Sequence, residues 1–94
     1  MSLRAAAGPG IEFLEYLSPR DGRPAPSDER VNDFVHWQTV VASPDAELLA
    51  TRLATARVPF VSPGVVHVED RALGFDRAFL VRDPDGHVVQ VVAP

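Results

Sequence analysis

The strongest constraint on the fold of this chain is a turn signal near its C-terminal end. The segment 83–86, Asp-Pro-Asp-Gly, separates two β-rich runs that we predict to be strands over residues 77–82 and 87–92. Proline at the second position and glycine at the fourth are typical of a type I turn. The two strands are therefore expected to form an antiparallel hairpin.

The residues before this hairpin carry the signals of a strand, a helix and a second strand. Residues 35–41 are β-rich, and Ser43 as N-cap with Pro44 at the first helical position predicts the start of a helix that Pro59 ends. An interrupted strand follows over residues 60–68. From residue 35 onward the predicted order is β-α-β-β-β, an α+β module with a mixed sheet.

The first third of the chain is organised differently. We expect residues 1–9 to be flexible and residues 10–17 to form a strand, because glycine and proline bound an apolar, aromatic run. Residues 18–33 are rich in proline and charge and predict a linker or long arm. A connection of that length is unusual inside a compact domain, so it indicates a boundary before the module at residues 34–94.

Composition excludes several classes of function. A net charge of −4 without a basic cluster argues against nucleic acid and membrane surfaces as partners. The chain has no cysteine, which excludes disulfides and thiolate chemistry. No apolar run approaches the roughly 18 residues of a membrane span, and no signal-peptide-like stretch opens the chain, so we expect a cytoplasmic protein. The expected partners are a small molecule, a metal ion or a second copy.

In this order of elements the chain resembles the vicinal oxygen chelate superfamily, which includes glyoxalase I, bleomycin-resistance proteins and extradiol dioxygenases. The resemblance rests on the βαβββ order, on His36 early in the first strand, and on the Asp-Pro-Asp-Gly turn before the last strand. It covers residues 10–17 and 34–93. In that family two modules pair around a cleft. This chain resembles the second half of a full-length member, preceded by the final strand of the first half.

The resemblance implies a divalent-metal site formed by His36, Glu12 and Gln90. Glu12 lies where the preceding module has its glutamate ligand, and Gln90 stands where the family has a second glutamate. Zinc, nickel, cobalt, manganese and iron(II) suit such ligands. Glu12 would be the catalytic base, because an amide cannot take a proton. Two alternatives stay open: His36 lines a polar pocket without metal, and Gln90 only forms hydrogen bonds.

Strand alternation predicts which side chains line the cleft. It places His36 and Gln38 on the cleft face and Trp37 in the core against the helix. A four-residue hairpin loop would pair Phe79 with Gln90, and paired residues share a face. A slip of one residue would move this set to the other face. The residues expected to contact substrate are Gln38, Phe79, Val81, Arg77 and Val88.

Two functions from different classes follow from the resemblance. The first is a divalent-metal-dependent lyase, isomerase or dioxygenase acting on a small substrate with vicinal oxygens. The alternative is a non-catalytic small-molecule-binding module of the resistance type, or an inactive half of a longer protein. Each requires a partner, because a single module leaves a concave face and strand edges uncovered. We therefore predict a homodimer, in which residues 10–17 can cross to the other chain as a swapped strand.

Overall fold

A computed structural model describes residues 1–24, 26–34 and 36–94; Val35, where the first strand of the module is predicted to begin, lies outside them. Within these residues the chain has one α-helix and two β-sheets, the mixed α+β content that the sequence predicts. In chain order the elements are β1 (Ser2–Leu3), β2 (Ile11–Glu12), β3 (Gln38–Ala42), α1 (Ala46–Thr55), β4 (Val66–His67), a 3₁₀ turn (Arg71–Leu73), β5 (Arg77–Arg82) and β6 (Val88–Ala93).

The main sheet has four strands in the order β3-β6-β5-β4. Strands β3 and β6 are parallel, whereas β5 is antiparallel to both of its neighbours. From β3 onward the elements follow the β-α-β-β-β order expected from the sequence. The last strand in chain order thus lies inside the sheet, between the first and third strands of the module.

The hairpin between β5 and β6 is offset by one residue from the predicted register. Leu80 pairs with Gln90, where the prediction has Phe79. The reason is Gly86, which has a φ of 90° and donates its N–H to the carbonyl of Asp83 at 2.9 Å. A type I turn followed by a left-handed glycine closes the hairpin with a bulge, which lengthens the loop by one residue. Every side chain of β5 consequently faces the side opposite to the predicted one.

The hydrophobic core lies between α1 and one face of the main sheet. Phe79 is fully buried and stacks on Phe60, with ring centroids 5.6 Å apart. Odd-numbered residues of β5 and β6 face the helix, and even-numbered residues face the opposite side, which we call the open face. Val89 packs on the helix side, as predicted. The buried cluster contains Ala46, Ala50, Phe79, Val81, Val91 and Ala93.

Helix α1 begins later than the sequence predicts. The N-cap is Asp45, whose Oδ1 accepts a hydrogen bond from the backbone N–H of Leu48 at 2.9 Å. Ser43, the predicted cap, and Pro44 precede the helix. Both serine and aspartate are good caps, and the aspartate here satisfies an amide in the first turn that has no partner within the helix.

The C-terminal end of α1 is closed by a residue in the left-handed conformation. Arg57 has a φ of 61°, and the N–H of Val58 donates to the carbonyl of Leu53 at 3.0 Å. Glycine is the usual residue at this position of such a motif, because it has no Cβ to clash.

In the described part of the chain, no helix has both the length and the apolar character needed to cross a membrane.

Strands β1 and β2 form a separate two-stranded antiparallel sheet. Of the strand predicted over residues 10–17, only Ile11–Glu12 is regular, and it pairs with Ser2–Leu3. Among the described residues, these two strands contact no other strand or helix. A hairpin this small is at most marginally stable alone. Its neighbourhood exposes the large apolar side chains Leu3, Ile11, Phe13, Leu14, Tyr16 and Leu17.

Candidate functional site

Two glutamines form a hydrogen-bonded pair on the open face of the main sheet. Gln38 lies in β3 and Gln90 in the adjacent strand β6. Nε2 of Gln38 donates to Oε1 of Gln90 at 2.8 Å. The amide oxygen of Gln90 therefore already accepts one hydrogen bond. Hydrogen bonding was the alternative to metal ligation that the sequence left open for this residue.

His36 precedes β3 and contacts the arm formed by residues 18–33. Its Nδ1 lies 2.9 Å from Oε1 of Glu29, and the two side chains are only 12% and 7% exposed. A metal at His36 would have to bind Nε2, because Glu29 occupies the other ring nitrogen. The sequence does not indicate a role for Glu29, because the arm has no periodicity that would predict a buried acid there.

The three predicted metal ligands do not come together within one chain. Glu12 is exposed on β2, and among the described residues that strand contacts neither β3 nor β6. His36 is paired with Glu29, while Gln90 is bonded within the main sheet. The cause is that the strand carrying Glu12 pairs with β1. A metal held by these three side chains therefore does not fit a single chain.

The residues expected to line the cleft are divided between the two faces of the sheet. Phe79 and Val81 are buried in the core against the helix, because the hairpin register differs from the predicted one. Gln38 and Val88 lie on the open face, as expected, and Val88 is buried there. The predicted cleft thus loses its aromatic residue.

Arg77, also expected to meet substrate, reaches toward the helix instead. Its Nη1 donates to Oε2 of Glu47 in α1 at 2.9 Å, and its Nε donates to Oδ1 of Asp76 at 3.2 Å. The hydrogen bond to Asp76, followed by the contacts with Glu47, raises the pKa of Arg77 above its ordinary value. The guanidinium is thus engaged by two carboxylates on the helix side, away from the open face.

The hairpin turn brings three potential metal ligands together. Asp83, Asp85 and His87 each offer one ligand atom, and these atoms lie within 4.8 Å of one another. Oδ1 of Asp83 accepts hydrogen bonds from the backbone N–H groups of Asp85 and His87 at 2.9 and 2.8 Å. Its Oδ2 lies 3.6 Å from Nδ1 of His87. This group, which we call the turn triad, could hold a metal ion.

The ring of Trp37 packs against the histidine of the turn triad. The two ring centroids are 4.3 Å apart and the planes are inclined by 37°. Trp37 is 53% exposed, so the prediction that it lies in the core is wrong. It precedes the first residue of β3, and the alternation that would have turned it inward begins only at Gln38.

A crevice of about 620 Å³ separates the arm from the hairpin turn. Its volume falls in the range of roughly 300–1,000 Å³ that is usual for ligand pockets. The wall combines charges of both signs with apolar proline rings. The lining residues are Arg23, Pro24, Pro26, Glu29, Pro84, Asp85 and His87.

The turn triad is not among the sites predicted from the sequence. The residue pattern at 83–86 predicts a turn and indicates no metal site there. The available signal was the spacing of Asp83, Asp85 and His87, which places three ligand-type side chains at alternate positions around one tight turn.

Comparison with known proteins identifies no relative: no family model, curated protein or solved structure matches this chain.

Proposed function

We propose that this chain is a small-molecule-binding module of the glyoxalase and bleomycin-resistance type. The observation that carries the proposal is the crevice between the arm and the hairpin turn. Arg23 supplies hydrogen-bond donors there, and Glu29 and Asp85 supply acceptors. A few convergent polar groups among apolar walls suit a small ligand that carries several oxygens.

The main sheet supports the same proposal. The β-α-β-β-β order leaves one face without a covering helix, and the pair Gln38–Gln90 provides amide groups on that face. Amides can orient a polar ligand by hydrogen bonds without moving a proton. Non-catalytic ligand binding therefore requires only side chains that are held in place within a single chain.

The test is a ligand-induced thermal shift with EDTA present, using catechol, a 2-hydroxyketone and bleomycin as probes. Ligand at tenfold its Kd should stabilise the fold by about 1.4 kcal/mol, which raises Tm by roughly 6–11 °C for a domain of this size. Arg23→Ala should abolish the shift, because Arg23 lines the crevice. Arg52→Ala, an exposed arginine on α1, is the matched control. An undiminished shift in Arg23→Ala would reject the crevice.

The turn triad favours a second candidate, a divalent-metal-dependent lyase, isomerase or dioxygenase. One imidazole and two carboxylates suit zinc, nickel, manganese, iron or cobalt. When bound, such an ion would supply a Lewis acid for a substrate with vicinal oxygens. The protein's own contribution would be to fix the ligands: Asp83 through the turn amides, and His87 through Trp37.

Elemental mass spectrometry of the purified protein tests this candidate. If the turn triad is the site, the protein holds about one divalent ion per chain, and His87→Ala loses it. His67→Ala, at an exposed histidine of β4, should keep the ion. Loss in His36→Ala alone would instead identify the site implied by the resemblance. No metal after incubation with zinc, nickel, manganese and iron would reject the metalloenzyme.

We further propose that the chain is a homodimer, in which two modules take the place of the two halves of a full-length member. Support comes from the exposed apolar residues around β1 and β2. Surfaces of this kind are normally covered by a partner. Light scattering at micromolar concentration tests the proposal, and a monomer would contradict it.

A further inference from the structure

The outer edge of β3 is an unpaired strand edge suited to a second strand. Among the described residues, β3 pairs only with β6, and its other edge meets no strand. The backbone N–H of Ser43 donates toward β6, to the carbonyl of Val92 at 2.9 Å. Because successive residues of a strand point to alternate sides, the N–H and C=O groups of Gln38, Val40 and Ala42 point outward.

This edge carries none of the features that normally block pairing. Residues 37–43 contain no charge, proline or glycine, and Val40 is 58% exposed. Natural sheets protect exposed edges with lysine, proline or bulges. Helix α1 packs on β5 and β6 and, within the described residues, not on β3, so it leaves the edge accessible.

The other strand edges are poorer candidates. Strand β4, at the opposite side of the sheet, has only two residues, and β1 and β2 have two residues each. A groove of about 340 Å³, lined mainly by aliphatic side chains such as Val41, Leu49 and Leu53, lies on the helix side of the sheet.

We propose that the outer edge of β3 pairs antiparallel with the same edge of a second copy, about a two-fold axis at Val40. The pairing follows from register: Val40 of one copy lies opposite Val40 of the other, and Gln38 lies opposite Ala42. All three outward residues then form hydrogen-bonded pairs, about six hydrogen bonds in total. The two sheets become one continuous sheet with the open faces on the same side. The inference rests on the homodimer part of the proposed function.

Two matched substitutions test the contact by light scattering. Val40→Lys places two ammonium groups opposite each other and should raise the dimer Kd at least roughly tenfold. Val66→Lys makes the same change at the exposed valine of β4, on the other edge of the sheet, and should leave the Kd unchanged. Both sites are more than two-fifths exposed, so both variants should fold, which circular dichroism checks. An unchanged Kd in Val40→Lys overturns the inference.

Disulfide cross-linking tests the register, because the chain contains no cysteine of its own. A hydrogen-bonded antiparallel pair has its Cα atoms about 5.5 Å apart, which suits a disulfide. Val40→Cys should therefore form a covalent dimer on oxidation, and Val66→Cys should not. Mixing Gln38→Cys with Ala42→Cys should cross-link the two more efficiently than either alone.

The outcomes separate this inference from the proposed function. If Val40→Cys cross-links instead with Phe13→Cys, the swapped N-terminal segment occupies the edge and the inference is overturned. A monomeric protein that still binds ligand overturns the inference and the homodimer, but leaves ligand binding standing. A dimer cross-linked at Val40 that binds neither ligand nor metal supports the inference and the homodimer, but rejects ligand binding and the metal site.

Discussion

Replacement of Phe79 by alanine should cause one of the largest losses of stability available in this chain. Phe79 is fully buried, lies in the cluster between α1 and the main sheet, and stacks on Phe60. Truncation of a buried phenylalanine costs about 3–5 kcal/mol, through lost burial and the cavity that remains. A domain of 94 residues has a total stability of about 5–14 kcal/mol, so the variant should be close to unfolding.

Urea denaturation followed by circular dichroism measures this loss. At an m-value of about 1–2 kcal/mol/M, a loss of 4 kcal/mol lowers the midpoint by roughly 2–4 M. Phe34→Ala is the matched control, because that ring is fully exposed and its removal should change stability by less than about 0.5 kcal/mol. Phe79→Leu provides a milder variant should the alanine protein not fold.

The comparison with Leu80 makes the test specific for the hairpin register. In the structure Leu80 pairs with Gln90 and faces the open side, so Leu80→Ala should cost less than Phe79→Ala. In the register of a four-residue loop the two positions exchange faces, and the order of the two losses would reverse. A larger loss for Leu80→Ala, or a loss below about 1 kcal/mol for Phe79→Ala, would refute the packing described.

Three further changes test local backbone features by the same urea titration. Asp45→Ala should cost about 1 kcal/mol by removing the helix cap, whereas Ser43→Ala should cost less than half as much; equal losses would contradict the cap at Asp45. Arg57→Gly should stabilise the protein by about 0.5–1 kcal/mol, because glycine accepts the left-handed conformation more readily; a destabilised variant would argue against a φ of 61°. Gly86→Ala should cost about 1–2 kcal/mol, and an unchanged midpoint would argue against the bulged hairpin.

The order of the elements was predictable because its signals are local. The start and stop signals of the helix, the turn at residues 83–86 and the β-rich runs each depend on neighbouring residues, and the structure has the predicted β-α-β-β-β order. The face of Gln38 was also predictable, since alternation along one strand needs no knowledge of its partner. These local signals were sufficient to predict the α+β content of the fold and the face of the sheet on which Gln38 lies.

The hairpin register and the site depend on information that no local pattern contains. Proline at 84 and glycine at 86 are compatible with both a four-residue loop and a bulged loop, and only the conformation of Gly86 decides between them. The contact of His36 with Glu29 joins the segment just before β3 to the arm, whose sequence has no periodicity from which the contact could be predicted. The position of Glu12 depends on which strand its segment pairs with, a choice between β1 and the main sheet.

The central position of β6 has a consequence for synthesis on the ribosome. Strand β6 lies between β3 and β5 and is the last of the four strands to be translated. Until residues 88–93 have left the exit tunnel, β3 has no neighbouring strand. The apolar faces of α1 and β5 then lack the side chains of β6 that pack against them. The nascent chain can pair β4 with β5 but cannot join β3 to them before β6 is present. An interruption of translation before residue 88 would therefore release an apolar, aggregation-prone fragment.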